Sequence, residues 1–100
     1  MTHLRYPWIE MDRPQLFEEQ LSRELPPGHV LLGIAVHAIA RVDGADDVLY
    51  ELLDGTNRVA VVHLTFTQNV DSDWPWTELY SSYSVWVSDR MQRDSSGFGA

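Results

Sequence analysis

Three apolar runs in the middle of the chain constrain its fold more than any other feature. They cover residues 31–42, 48–53 and 59–66, and turn-forming segments that begin at Asp43 and Asp54 separate them. The third run is rich in β-branched and aromatic residues, which suit a pleated surface. The pattern predicts a three-stranded antiparallel meander, with strands at about residues 30–41, 47–53 and 58–67.

Helical patterns flank this block on both sides. Residues 13–25 carry apolar residues at spacings of three and four, which predicts an amphipathic helix capped by Asp12, with Pro14 in its first turn. A second helix is predicted from Ser81 or Ser82 to about Gln92, with a serine as its cap. The fold class is therefore predicted to be α+β: an N-terminal helix, a three-stranded antiparallel meander and a C-terminal helix.

Length and charge limit what the chain can be. One hundred residues support one core, so we predict a single domain over residues 1–100, with residues 1–11 an extended arm and 94–100 a frayed tail. The net charge of −8 repels phosphate backbones and anionic lipids, which argues against nucleic-acid or membrane partners and favours a basic protein partner. The N-terminal residues lack a secretory signal and no apolar run could span a membrane, which predicts a cytoplasmic location.

No catalytic or cofactor motif is superimposed on the predicted sheet. The absence of cysteine excludes disulfides and thiolate metal sites, and the isolated glycines cannot form a phosphate-binding loop. Ser81, Ser82 and Ser84 lack the turn that exposes a nucleophilic serine, and the acidic residues do not have calcium-loop spacing. We therefore predict no catalytic residue, no metal and no cofactor, which favours a non-enzymatic protein.

Aromatic and acidic residues outside the sheet suggest an interface. Four tryptophans exceed what one small core needs, and tryptophan and tyrosine often anchor protein interfaces. The alternative is that some of them only close the ends of the sheet. The leading hypothesis is a small acidic protein-binding module, of the immunity or antitoxin type, that inhibits a basic partner. The candidate interface residues are Asp46, Asp47, Asp71, Asp73, Trp74, Trp76 and Tyr80.

A ligand-binding or enzymatic protein is the alternative hypothesis. If both turns close simply, Arg41 faces Val48 and one sheet face receives a polar group that could bind a small ligand. This group comprises His37, Arg41, Tyr50 and His63. A bulge in the first strand would move His37 to the other face and dissolve the group. A second alternative is a homodimeric structural protein, because both faces of the predicted sheet are apolar and must be covered.

Six short blocks between about residues 20 and 90 carry a resemblance. They are PGH at 27–29, AIAR at 38–41, DDVLY at 46–50, DG at 54–55, AVVHLTF at 60–66 and WPWT at 74–77. In these blocks the chain resembles a group of short, uncharacterised bacterial proteins with no assigned activity. The resemblance implies a bacterial cytoplasmic protein and supplies no catalytic residue.

Overall fold

A five-stranded antiparallel sheet forms the centre of the computed structural model, which describes residues 4–96. Strands that follow one another in the chain are neighbours in the sheet. They are β1 (Trp8–Ile9), β2 (Val36–Val42), β3 (Asp47–Leu52), β4 (Val59–His63) and β5 (Trp76–Tyr80). The α+β class is confirmed, and the predicted three-stranded meander is present as β2–β4. The prediction of three strands is wrong, because the sheet has one further strand at each edge.

The two edge strands lie outside the three predicted strands, β1 in the predicted arm and β5 between the third predicted strand and the second helix. β1 is two residues long and pairs with the end of β2, Trp8 opposite Val42. β5 mixes threonine and glutamate with aromatic residues, so it forms no apolar run. The first predicted strand also starts later than expected, at Val36, because residues 30–33 form turns held by the bond from the Ile34 N–H to the Leu31 carbonyl at 3.1 Å.

The N-terminal helix α1 (Pro14–Glu24) covers one face of the sheet. Pro14 is its first residue, where the missing N–H costs nothing. The predicted cap is wrong, because Arg13 occupies the capping position and no side chain bonds the first turn. The buried core between this helix and the sheet contains Leu21, Leu31, Ala38, Val48, Tyr50, Leu52, Ala60, Val62 and Leu64.

The C-terminal helix covers the opposite face. It consists of an α-helical turn at Tyr83–Trp86, a π-helical segment at Val87–Met91 and an α-helical segment at Gln92–Ser96. Ser82 Oγ accepts the N–H of Val85 at 3.2 Å, so a serine caps this helix as predicted. The core on this side contains Trp8, Ala40, Leu49, Val59, Val61, Tyr80, Trp86 and Met91.

The two helices cover both apolar faces of the sheet. Each face packs against a helix of the same chain, so the faces that suggested a homodimer do not require a second subunit. None of the helices within residues 4–96 has the length and apolar character needed to cross a membrane. Residues 1–3 of the predicted arm and 97–100 of the predicted tail lie outside the described residues.

Candidate functional site

A cleft opens at one end of the strands, where β3 begins, β4 ends and β5 begins. Its volume is about 310 Å³. In the strand register Asp47 lies opposite His63, and His63 lies opposite Trp76, so three successive strands place these residues in one row. The lining residues are Asp47, Val61, His63, Trp74, Trp76, Glu78 and Arg90.

Arg90 supplies the positive charge at the base of this cleft. It lies in the π-helical segment with its side chain only 14% exposed. Its Nη2 donates to Asp47 Oδ2 at 2.8 Å, its Nε to Asp94 Oδ2 at 2.7 Å, and its Nη1 to Glu78 Oε2 at 3.4 Å. Desolvation acts to lower the pKa of Arg90, but the carboxylates, Asp94 foremost, together raise it above its ordinary value. Asp47, Glu78 and Arg90 line the cleft and together leave one net negative charge there, and Asp94 adds a second negative charge behind the lining.

Asp47 also fixes the orientation of His63. The His63 Nδ1 donates to Asp47 Oδ1 at 2.6 Å, while the other oxygen of Asp47 binds Arg90. Because a carboxylate only accepts, Nδ1 carries the hydrogen, and Nε2 of the neutral ring is then an acceptor. Such an Asp–His pair can serve a general base, but none of the described residues that line the cleft is a serine, threonine or cysteine that it could activate.

Trp74 and Trp76 form the exposed wall of the cleft. Their side chains are 45% and 54% exposed, and their ring centroids lie 6.5 Å apart at an interplanar angle of 52°. Pro75 between them is buried, and its carbonyl accepts from His29 Nε2 at 2.9 Å and from Thr77 Oγ1 at 3.0 Å. The two indoles therefore project from a backbone that is held on its inner side.

His29 connects this tryptophan segment to the turn that follows α1. Its Nδ1 accepts the N–H of Leu31 at 3.0 Å, which leaves the hydrogen on Nε2 to donate to the Pro75 carbonyl. The residue is 6% exposed, so both bonds are shielded from water. His29 is thus a structural residue that positions Trp74 and Trp76.

Acidic residues surround the tryptophan pair at the surface. Asp71 and Asp73 are exposed in the preceding turn, where Asp71 Oδ1 accepts the N–H of Asp73 at 2.9 Å and the Asp71 carbonyl accepts that of Trp74 at 3.1 Å. Asp73 also lines a second cleft, of about 250 Å³, that shares Trp76 with the first. Asp46 is exposed in the turn beside Asp47.

The structure therefore brings three of the seven predicted interface residues together in one cleft. Asp47, Trp74 and Trp76 line the main cleft, and the three other aspartates are exposed in the turns that precede Asp47 and Trp74. Tyr80 is different, because it is buried in the core under the C-terminal helix. Its hydroxyl donates to Glu78 Oε2 at 2.9 Å, so it supports a cleft residue rather than a partner contact.

The structure does not bring together the alternative polar group. Arg41 lies opposite Val48 as predicted, but an irregularity between Ala38 and Ala40 shifts the earlier part of β2. His37 therefore pairs with Glu51, and its Nδ1 bonds Glu18 Oε2 at 2.9 Å. In β2 the residue opposite Tyr50 is Ala38. His37 is the adjacent residue along the strand, so the bulge leaves His37 and Tyr50 on opposite faces of the sheet.

The other two members of that group are separated as well. Tyr50 is buried beneath α1, where its hydroxyl donates to the Phe17 carbonyl at 2.8 Å. Simple closure of the second turn would place Val61 opposite Tyr50. The observed register is shifted by one residue, so Ala60 lies opposite Tyr50 and His63 belongs to the other face. His37, Arg41, Tyr50 and His63 therefore share no site.

Two cleft residues, Glu78 and Arg90, were not selected by the sequence. Arg90 follows the buried Trp86 by four residues, a spacing that places both on one helix face and could have singled out this arginine. Glu78 carried no comparable signal, because β5 was not recognised as a strand. Within residues 4–96 no three histidine, aspartate or glutamate side chains are grouped so that they could hold a metal ion.

Comparisons with known proteins give no functional assignment. No protein-family model matches the chain, and no curated protein or solved structure shows significant similarity to it. The resemblance to short bacterial proteins stays a prediction. The geometry and charge of the cleft are therefore the basis for a functional proposal.

Proposed function

We propose that this protein is a small acidic protein-binding module that engages a basic partner through a surface centred on Trp74 and Trp76. The observation that carries the proposal is the pair of adjacent indoles, each about half exposed. Indoles exposed in water leave apolar area uncovered, and tryptophan is prominent among the residues that dominate binding energy at interfaces.

The hydrogen bonds that hold the backbone behind the two indoles favour binding. The Pro75 carbonyl is fixed by His29 and Thr77, so the loop that presents Trp74 and Trp76 is ordered before any partner arrives. A surface that is ordered in advance loses little conformational entropy on association. This is the property expected of a docking surface.

The negative charge of the chain favours a basic partner. The chain carries a net charge of −8, and exposed aspartates flank the indoles, among them Asp71 and Asp73. Complementary charge accelerates the encounter of two proteins and disfavours acidic competitors. A module of this kind acts as an inhibitor, in the manner of an immunity protein or antitoxin, when it covers a functional basic surface of its partner.

Affinity capture from the native host's lysate tests the proposal. The tagged wild-type chain is compared with the double variant Trp74→Ala/Trp76→Ala and with Leu53→Ala as the matched control. Leu53 is as exposed as Trp76, at 54%, but follows β3 at the end away from the cleft.

We expect a stoichiometric basic protein to be captured by the wild type and by Leu53→Ala, and released as salt rises. The double variant should lose it. A partner retained equally by all three chains, or no partner at moderate salt, would contradict the proposal. A thermal unfolding curve of the double variant that matches the wild type would show that the loss is not a folding defect.

A further inference from the structure

We propose that the cleft beside Trp74 and Trp76 receives an arginine side chain of the basic partner. This inference rests on the proposed function, because it takes the ligand to be part of a protein. It adds which side chain is recognised and which atoms recognise it. Four features of the cleft carry it: the unpaired acceptors, the net charge, the aromatic wall and the size.

Two polar atoms on side chains that line the cleft are hydrogen-bond acceptors without a partner among residues 4–96. Glu78 Oε2 already receives the Tyr80 hydroxyl and a guanidinium N–H of Arg90, whereas Oε1 has no hydrogen-bond partner among residues 4–96. His63 Nε2, an acceptor because Asp47 holds the hydrogen on Nδ1, is likewise without a partner in that part of the chain. A ligand that satisfies both atoms must present at least two donors.

The other charged groups of the cleft are already paired. Both oxygens of Asp47 are used, one by His63 and one by Arg90. Asp94 Oδ2 binds both Arg90 Nε and Trp8 Nε1. The guanidinium of Arg90 is thus paired with its own carboxylates, and the net negative charge that remains favours a cationic ligand over an anion or a neutral molecule.

The aromatic wall selects among cations. A guanidinium is planar, carries five N–H donors and is weakly hydrated, so it stacks on an indole while donating to separate acceptors. A lysine ammonium is a compact, strongly hydrated point charge with three donors, and it gains less from this arrangement. The same preference is seen inside the protein, where the guanidinium carbon of Arg90 lies 5.7 Å from the centroid of the Trp8 ring.

The size of the cleft agrees with a single side chain. Its volume of about 310 Å³ lies at the lower end of the range of pockets that bind small molecules, roughly 300–1,000 Å³. The cleft is therefore suited to one long side chain rather than to a large cofactor. An uncharged sugar, which also stacks on indoles, is the competing occupant that the experiment must exclude.

Nuclear magnetic resonance titration of the isolated chain tests this inference. The probe is the peptide acetyl-Gly-Arg-Gly-amide, and the readout is the indole Nε1–H shift of Trp74 and Trp76 together with the Nε2 shift of His63. The matched probes replace arginine by citrulline, which has the same shape without the charge, or by lysine. A disaccharide serves as the uncharged sugar probe.

We expect saturable shifts with the arginine peptide, with a dissociation constant on the order of 1–10 mM for one side chain. Citrulline should bind at least about tenfold more weakly, and lysine should fall between them. Glu78→Gln, which keeps the shape of a half-exposed side chain and removes its charge, should weaken arginine binding about fivefold. Saturable shifts with the disaccharide, equal binding of citrulline, or no saturable shift with arginine would overturn the inference.

The outcomes separate the two proposals. If the wild type captures a partner through its tryptophans but the arginine peptide gives no saturable shift, the arginine cleft is wrong and the protein-binding module stands. If the arginine peptide binds and Glu78→Gln also releases the captured partner, both are supported.

Discussion

Arg90 Nη2 donates to Asp47 Oδ2 at 2.8 Å, and this bond joins the C-terminal helix to the first residue of β3. The same carboxylate accepts from His63 in β4, so one side chain connects three elements. The base of the candidate cleft is therefore built from groups that also hold the helix on the sheet. Stability and binding depend on a shared set of residues, and the predictions must separate the two.

Removal of the central guanidinium should destabilise the fold. Arg90→Met preserves much of the side-chain volume but leaves Asp47, Glu78 and Asp94 next to one another without a cation. We expect the free energy of unfolding to fall by about 1–2 kcal/mol, because the carboxylates of this partly buried network lose their counter-charge while water still screens them. Urea denaturation followed by tryptophan fluorescence measures this change.

Arg93 provides the control on the same helix. Its side chain is well exposed and its nearest carboxylate oxygen, on Asp89, lies 3.7 Å away. Arg93→Met should change the free energy of unfolding by less than about 0.5 kcal/mol. Equal effects of the two substitutions would mean that the partly buried network around Arg90 does not stabilise the fold.

Glu24 should be required as a charged carboxylate, although it lies far from the cleft. It is fully buried and accepts from the N–H of Thr65 at 2.7 Å, the N–H of Phe66 at 2.9 Å and the side-chain amide of Gln20 at 2.8 Å. Phe66 has a φ of 56°, in the left-handed region, so these bonds hold a strained turn after β4.

Glu24→Gln replaces one acceptor oxygen by an amide that faces donors. We expect a loss of about 2 kcal/mol in the free energy of unfolding. The exposed Glu19→Gln on the same helix should change it by less than about 0.5 kcal/mol. Chemical denaturation of the two variants side by side gives the comparison, and a Glu24→Gln chain as stable as wild type would refute the role assigned to this carboxylate.

Tyr50 should make the fold sensitive to alkali. Desolvation under α1 raises the pKa of Tyr50 far above its ordinary value, and its hydroxyl donates to the Phe17 carbonyl. In the unfolded chain this tyrosine loses its proton near pH 10, whereas the native chain keeps it. The unfolded state then binds fewer protons than the native state, so stability is constant below about pH 10 and falls above it.

Tyr50→Phe tests this assignment. At about pH 8 it should lower the free energy of unfolding by about 1 kcal/mol, through loss of the hydrogen bond. At about pH 11 the difference from wild type should shrink or reverse, because the variant has one fewer tyrosine to ionise on unfolding. Urea midpoints at the two pH values give the answer, and a pH-independent difference would speak against it.

His29 should control the order of the tryptophan segment. His29→Phe keeps a ring of similar size and removes the bonds to the Leu31 N–H and the Pro75 carbonyl. We expect amide exchange at Leu31 to accelerate roughly tenfold and partner capture to weaken. His37→Phe, at an exposed site on β2, is the control and should change neither. Unaltered exchange in His29→Phe would show that the ring does not hold this segment.

The centre of the fold was predictable from sequence because strands β2, β3 and β4 are rich in apolar residues and are separated by clear turns. The edge strands were not, because a two-residue strand and a strand of mixed polarity take their structure from pairing with neighbours rather than from their own composition. The start of α1 was close to its predicted position, whereas its cap was not.

The candidate site was predictable only in part. The number of tryptophans suggested that some lie at a surface, and the two included in the candidate interface, Trp74 and Trp76, are exposed at the cleft while Trp8 and Trp86 are buried. The alternative polar group depended on strand register, which a single irregularity in β2 and a one-residue shift in the next hairpin changed. The spacing from Trp86 could have placed Arg90 on the packed face of the C-terminal helix, but its carboxylate partners in β3 and β5 come from the packing of that helix on the sheet.

The most direct test of the binding surface is a nuclear magnetic resonance footprint of the captured partner on the isotope-labelled chain. The four indole Nε1–H signals provide an internal comparison, because Trp74 and Trp76 are exposed whereas Trp8 and Trp86 are 1% and 0% exposed. We predict that the partner shifts the signals of Trp74 and Trp76 most and those of Trp8 and Trp86 least. Shifts confined to α1, with the Trp74 and Trp76 signals unmoved, would contradict the account.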